Sequence, residues 1–350
     1  MKVDILIGLQ YGSEGKGKVC ADIAEFYHGM MRVQSIQAGH TVVYDGKIFK
    51  MRQIPCGWVN PKCKLFIGAG GFIKMDVLIS EIKALENIGI SIRDRLFIDY
   101  RATLVEERHA EAERELVKSI GSTGEGAGQS LCEKLMRSPD VTRVENLIDD
   151  FECYHLNVTD TIRMINNMDG RLLIEGAQGT LLSVHTSPYY PYVTSRECTV
   201  AGILSETGLS LVDIENVIGV MRTYPIRVGG HSGYTGDHEI SWEEISKRCG
   251  GNVAPEVTTV TGRVRRVFEF SFWDIEYALM LNKPNIICLN FPHYIEYNQK
   301  SHNDILCPKV YEWIKKFEQK TGYGIDYVGT SEKMYDFYDR GIIKKLGGNK

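Results

Sequence analysis

The sequence predicts an α/β fold: a mostly parallel central sheet flanked by helices, opened by a P-loop-like βα unit of the kind that holds nucleotide phosphates. Three observations predict it. Ile5-Leu6-Ile7-Gly8-Leu9 is an unbroken apolar run, as expected of a strand buried on both faces. It leads into Gly12-Ser13-Glu14-Gly15-Lys16-Gly17-Lys18, after which Val19, Ile23, Ala24 and Phe26 recur at helical spacing to about His28. Further short apolar runs at Leu65–Ile67, Leu96–Ile98, Leu172–Ile174, Val217–Met221 and Ile286–Leu289 alternate with longer amphipathic stretches, the rhythm of strands and covering helices.

Between these elements, Tyr44-Asp45-Gly46-Lys47 marks a hairpin, because Asp-Gly suits the positive φ angles of a tight turn. The charged run from Glu106 to Glu115 reads as a solvated helix face. No repeat, low-complexity tract or linker stands out, so residues 1–350 read as a single domain with subdomain insertions. The 41 basic and 45 acidic side chains leave a net charge of −4, with no global basic field for a nucleic-acid polymer. Nine cysteines form no C-x-x-C pair, and no apolar stretch approaches the ~20 residues that cross a bilayer. The expectation is a soluble, reduced, cytoplasmic protein without a membrane partner.

The glycine-rich segment carries the chemistry. From Gly12 to Lys18 it fits G-x-x-x-x-G-K, and its backbone N–H groups and two lysines can converge on a polyphosphate. Val19 stands where the usual phosphate loop has the magnesium-binding Ser or Thr. The run Gly8-Leu9-Gln10-Tyr11-Gly12-Ser13-Glu14-Gly15-Lys16-Gly17-Lys18 resembles the signature G-x-Q-[WY]-G-D-E-G-K-G-K of the adenylosuccinate synthetases, with one exception at Ser13. The resemblance continues through Ala38-Gly39-His40-Thr41, Ile120-Gly121-Ser122-Thr123-Gly124, Glu175 to Leu182, Tyr190 to Ser195 and Thr261-Gly262-Arg263.

That resemblance implies a two-step ligase. A nucleotide's γ-phosphoryl group goes to the purine 6-oxygen, and the amine of aspartate then displaces phosphate to give an N6-succinyl purine. A purine 6-oxo group leaves poorly and phosphate leaves well, so the triphosphate supplies the leaving group. By the same resemblance Gly12, Ser13, Glu14, Gly15, Lys16, Gly17 and Lys18 hold the ATP phosphates, with Thr41 adding a hydroxyl and Arg265 a cation. His40 serves the phosphoryl group in flight, Gln178 contacts the purine near its 6-oxygen, and Gly39 and Ser13 contribute to a Mg²⁺ site. Ser122, Thr123 and Thr194 match hydroxyls on the acceptor's monophosphate. Arg137 resembles an arginine that reaches this phosphate from a neighbouring subunit, which implies a homodimer. Thr259, Val260, Thr261 and Arg263 match the loop that grips L-aspartate.

Two departures change the expected substrates. Ser13 replaces the aspartate thought to take the N1 proton of IMP; it is smaller and neutral, and it both donates and accepts hydrogen bonds, so it accommodates a purine with an amino group at C2. This resembles the bacteriophage branch of the family, which acts on dGMP; Ser13 and Gln178 thus join Ser122, Thr123, Arg137 and Thr194 as expected dGMP contacts. The guanine-reading T-K-L-D segment of ordinary members is Asn290-Phe291-Pro292-His293 here, so its carboxylate is gone. The expected donor is ATP or dATP, contacted by Asn290, Pro292, Gly329 and Thr330. An ordinary synthetase using IMP and GTP, and a nucleotide-binding regulatory protein without ligase chemistry, are the alternatives.

Overall fold

The computed structural model describes residues 1–34, 36–258 and 262–348. In chain order its strands are β1 (Lys2–Gly8), β2 (Gly29–Arg32), β3 (His40–Tyr44), β4 (Lys47–Met51), β5 (Lys64–Ile67), β6 (Phe72–Ile73), β7 (Leu96–Asp99), β8 (Thr103–Leu104) and β9 (Asn157–Thr159). There follow β10 (Arg171–Glu175), β11 (Ile214–Arg222), β12 (Ile226–Arg227), β13 (Glu239–Ile240), β14 (Arg266–Phe268), β15 (Ile286–Asn290), β16 (Tyr327–Gly329) and β17 (Phe337–Asp339). Ten of them form one sheet in the order β17-β16-β15-β11-β1-β10-β2-β5-β7-β9. Every pairing in it is parallel except β16 with β17, so the expected sheet is present.

The unbroken apolar runs follow from burial on both faces. Along β1, Val3, Ile5 and Ile7 enter one core with Ile174, Ile287, Ile314 and Phe317, while Leu6 points to the other, with Val19, Met30, Leu65 and Ile218. Helices such as Met75–Glu86 and Pro308–Thr321 cover these two faces. Asp-Gly does make the hairpin: Asp45 and Gly46 have φ of 49° and 71° between antiparallel β3 and β4.

Two expectations need correction. The first helix ends at Asp22, not near His28, and a 3₁₀ turn, Ala24–Phe26, carries the chain into β2. Asp22 is fixed there, accepting from Lys18, from the Tyr327 hydroxyl at 2.6 Å and from the Tyr335 N–H at 2.7 Å. The charged run is not a continuous solvated face but two short helices, Glu107–Ala112 and Arg114–Ser119, hinged on a buried Glu113.

With β1 at the centre, the chain leaves β1, β10, β11 and β15 on the same edge. The loops beyond these carboxyl ends meet there, where parallel sheets bind ligands.

Candidate active site

A cavity of about 920 Å³ opens at that edge. Its floor is the loop from Gly12 to Lys18, locked before any ligand arrives. Glu14 is fully buried; its carboxylate accepts from the N–H groups of Gln10 (3.2 Å) and Gly12 (2.8 Å) and pairs with Lys16 at 2.6 Å. Lys18 pairs with Asp22 at 2.6 Å and donates to the Lys333 carbonyl at 2.7 Å. The lysines therefore sit in the cavity wall with their charge partly committed, rather than both free to converge on phosphate as the spacing suggested. Gly17 is bare for a reason: a Cβ there would lie 2.8 Å from His40 Cβ and 2.9 Å from the Thr41 carbonyl, so the helix start and β3 touch backbone to backbone.

On the β10 side, His40 Nδ1 lies 2.5 Å from Glu175 Oε1, at the end of β10. The same oxygen accepts from Arg32 Nη1 at 2.6 Å, Oε2 accepts from the Cys56 N–H at 2.7 Å, and Arg32 Nη2 reaches the Ala38 carbonyl at 2.7 Å. Burial opposes ionisation of Glu175, but Arg32 and His40 hold its carboxyl down at about 2. Burial, with Arg32 adding to it, lowers His40 to about 3, so the imidazole is neutral at pH 7. Glu175 takes the Nδ1–H, which leaves Nε2 as a lone pair, buried and unpartnered. His40, Cys56 and Glu175 are close enough to suggest a metal, but the Arg32 guanidinium already occupies the shared carboxylate. Next to this group, Gln178 Nε2 donates to Gln37 Oε1 at 2.8 Å, Thr194 Oγ1 donates to the same oxygen at 3.1 Å, and Gln178 Oε1 is buried without a partner.

On the β15 side, Arg222 ends β11 fully buried, with its guanidinium 4.0 Å over the Phe291 ring. It donates to the Ser13 carbonyl at 2.9 Å and pairs with Glu256, which also pairs with Arg265 at 2.8 Å and accepts from the Tyr294 hydroxyl at 2.8 Å. Against the cost of burial, Arg222 above all holds Glu256 down at about 2. Asn290 Nδ2 donates to the Glu14 carbonyl at 2.8 Å, bracing the floor, and its Oδ1 is buried without a partner.

Known proteins share this geometry and its motifs. The family model for adenylosuccinate synthetase matches residues 5–155 and 140–297. The chain belongs to the adenylosuccinate synthetase family. Members of this family are ligases that form C–N bonds, and so is this chain. Among its relatives, the N6-succino-2-amino-2′-deoxyadenylate synthase of Vibrio phage phiVC8 is 36% identical over 84% of this chain and 86% of that protein. The adenylosuccinate synthetase of Methanococcus aeolicus is 33% identical over 97% and 99%. Among solved structures, the cyanophage S-2L succinoaminodeoxyadenylate synthetase (PurZ), bound to dGMP and dATP, superposes with a TM-score of 0.82 at 27% identity, covering 99% of this chain and 98% of that one.

Most of the residues expected from the family's motifs do meet in one cavity: 12–18, Gly39, His40, Thr41, Ser122, Thr123, Gln178, Thr194, Arg265, Asn290 and Gly329 all line it. Others do not. Pro292 begins a 3₁₀ turn and is buried behind the wall, and Thr330 is buried with its hydroxyl turned to Asn303. The face offered instead is His293, whose Nδ1 is buried without a partner and whose imidazole is lowered to about 4, mainly by burial. Arg137 is exposed after the helix Ala127–Leu135 and lies off the cavity wall of its own chain. Arg263 is exposed on the turn between Val257 and Val264; Thr259, Val260 and Thr261 lie outside the described residues.

Several residues were given no role by their motifs, although Glu175 lies in one. Glu175 orients His40, Gln37 orients Gln178, and Arg222 joins the floor to Glu256. Glu113, concealed in the charged run, accepts from the N–H groups of Gly126, Gly128 and Gln129 at 2.7–3.0 Å and shapes the loop that carries Ser122 and Thr123. Among the other glutamates of that run nothing in the sequence marks Glu113 out.

Proposed function

We propose that this chain uses ATP or dATP to join L-aspartate to C6 of dGMP, releasing ADP or dADP, phosphate and N6-succino-2-amino-2′-deoxyadenylate. The observation that carries this reading is Ser13, whose side chain is exposed at the mouth of the floor loop with no carboxylate free beside it. Among the described residues no aspartate lines the cavity, and its glutamates are 14, 113, 256 and 332. The first three are committed to loop N–H groups, Lys16 or arginines, and Glu332 lies exposed beside Lys300. With no carboxylate free beside Ser13, the site favours a purine whose N1 edge carries an extra amino donor, because a serine hydroxyl accepts from it without excess charge. The phage relatives named for this product and the cyanophage enzyme seen with dGMP and dATP support the same substrates.

In this reading the purine N1 proton passes to water as the 6-oxygen attacks the γ-phosphorus and the bond to the β-phosphate oxygen breaks. The aspartate nitrogen then bonds to C6 as phosphate leaves. His40 Nε2 faces the transferring group from a ring fixed by Glu175; a phosphoryl oxyanion favours its protonation, giving a charge-assisted donor. Gln178 Oε1, unpartnered in the wall, is an acceptor and takes a donor of the base beside the 6-oxygen, the guanine N1–H. Gly39 and Ser13 present neutral oxygen donors beside the loop, a set that fits Mg²⁺ compensated mainly by nucleotide phosphates. Bound there, the ion would spread the charge of the phosphoryl group. Arg137, exposed and off its own cavity, is read as reaching the acceptor phosphate of a second copy in a homodimer. His293 is read as the donor-base contact in place of Pro292 and Thr330.

The test is a panel of IMP and dGMP, each with aspartate and ATP, dATP or GTP, followed by product mass. Aspartate-dependent turnover of dGMP with an adenine donor is expected. Turnover of IMP with none of dGMP contradicts the proposal, as does nucleotide binding without aspartate-dependent phosphate release.

A further inference from the structure

Glu256 and Arg265 face each other at the base of a short antiparallel excursion. The Arg265 N–H donates to the Glu256 carbonyl at 2.9 Å, Val257 bridges Val264, and the Thr258 N–H donates to the Arg263 carbonyl at 2.8 Å. Its return limb carries Arg263, which is exposed. Its base is attached to the rest of the site through the Glu256 carboxylate, which takes Arg222 from the end of β11, Arg265 from the return limb and the Tyr294 hydroxyl from the turn after β15. Arg222 also donates to the Ser13 carbonyl, so one carboxylate and one guanidinium connect the excursion to the phosphate floor.

Charge adds a second argument. Two guanidiniums share one carboxylate, and the side chains of Arg222, Arg265 and Glu256 keep only 0%, 14% and 17% of their surface open. A buried surplus of one cation at a cavity wall favours an arriving anion. Glu256 stays anchored by Arg222 and Tyr294 if Arg265 turns toward that anion.

We propose that Glu256 is a positioning residue, setting the arginine-bearing excursion in register with the phosphate floor so that the amino-acid substrate is delivered to the activated purine. This rests on the reading that Thr259, Val260, Thr261 and Arg263 take aspartate. It assigns to Glu256 no contact with substrate.

The test compares Glu256→Gln and Glu256→Asp with the parent enzyme, using whichever acceptor, dGMP or IMP, supports parent turnover. Glu256→Gln keeps the shape and removes the charge. It is expected to raise KM for aspartate about tenfold or more while KM for the purine nucleotide changes less than about threefold, with Glu256→Asp recovering part of the loss. Equal KM changes for both substrates, unchanged kinetics, or no recovery by Glu256→Asp would overturn the proposal. A far-ultraviolet circular dichroism melt run beside the kinetics identifies a variant that has unfolded; in that case Arg265→Lys, which retains the charge but not the planar fork, must show the same selective rise in aspartate KM or the proposal fails. A parent enzyme with no aspartate-dependent turnover would instead contradict the proposed function.

Discussion

The two sides of the cavity handle buried charge differently. On the β10 side the ledger balances: anionic Glu175 meets cationic Arg32, and His40 is neutral. On the β15 side it does not, because Glu256 serves both Arg222 and Arg265. The balanced side carries no net charge, which in the proposed reading suits an uncharged base and a phosphoryl group in transit. The cationic side is completed by an anion. In the proposed reading the difference separates residues that perform the reaction from those that collect its charged substrates, and each side can be perturbed separately.

The largest effect is expected from His40→Asn, which removes the proton-bearing nitrogen from the balanced side. Turnover should fall on the order of 10²–10⁴-fold, with little change in melting temperature; an unchanged kcat would take His40 out of the mechanism. Next comes Glu175→Gln, which leaves Arg32 buried without its counter-ion and should cost about 3–5 kcal/mol of stability in urea unfolding. A loss as small as that of a surface substitution would show that the charge balance is not what holds this side.

Acid should weaken the balanced side in a definite window. His40 is lowered from 6.5 to about 3, so below 6.5 the unfolded chain takes up a proton that the folded chain refuses, and stability falls from there toward pH 3. Glu175, lowered from 4.5 to about 2, adds a loss of the same sign as pH drops through that lower range. Melting temperatures that do not decline between pH 6.5 and pH 4 would contradict the first, and the absence of a further decline below pH 4.5 would contradict the second. The smallest effect is expected from His293→Asp on the β15 side. Restoring a two-oxygen acceptor should shift the kcat/KM ratio of GTP to ATP upward by about tenfold, a change on the order of the 1–3 kcal/mol left by unpaired base donors. No shift would remove His293 from donor recognition.

What could be read from sequence was what is local. The phosphate loop, the hairpin at Asp45-Gly46 and the apolar strands each depend on neighbours a few positions away, and they stand where their patterns put them. The charge network was not legible, because its pairs lie far apart in the chain: Arg32 with Glu175, Ser13 with Arg222, Arg222 with Glu256. Side-chain direction was a second limit. Pro292 and His293 are adjacent, but one is buried and the other lines the cavity, which no spacing rule distinguishes inside a 3₁₀ turn. Glu113 shows the same limit, since a charged residue turned inward reads like its solvated neighbours.

That Ser13 reads the amino edge of the acceptor purine is tested most directly by a crystal structure with dGMP and a nonhydrolysable ATP analogue. The guanine C2 amino nitrogen is expected within hydrogen-bond reach of Ser13, about 3 Å, with the 6-oxygen toward His40 and the N1–H toward Gln178. Guanine bound with that amino group turned away from Ser13 would contradict it.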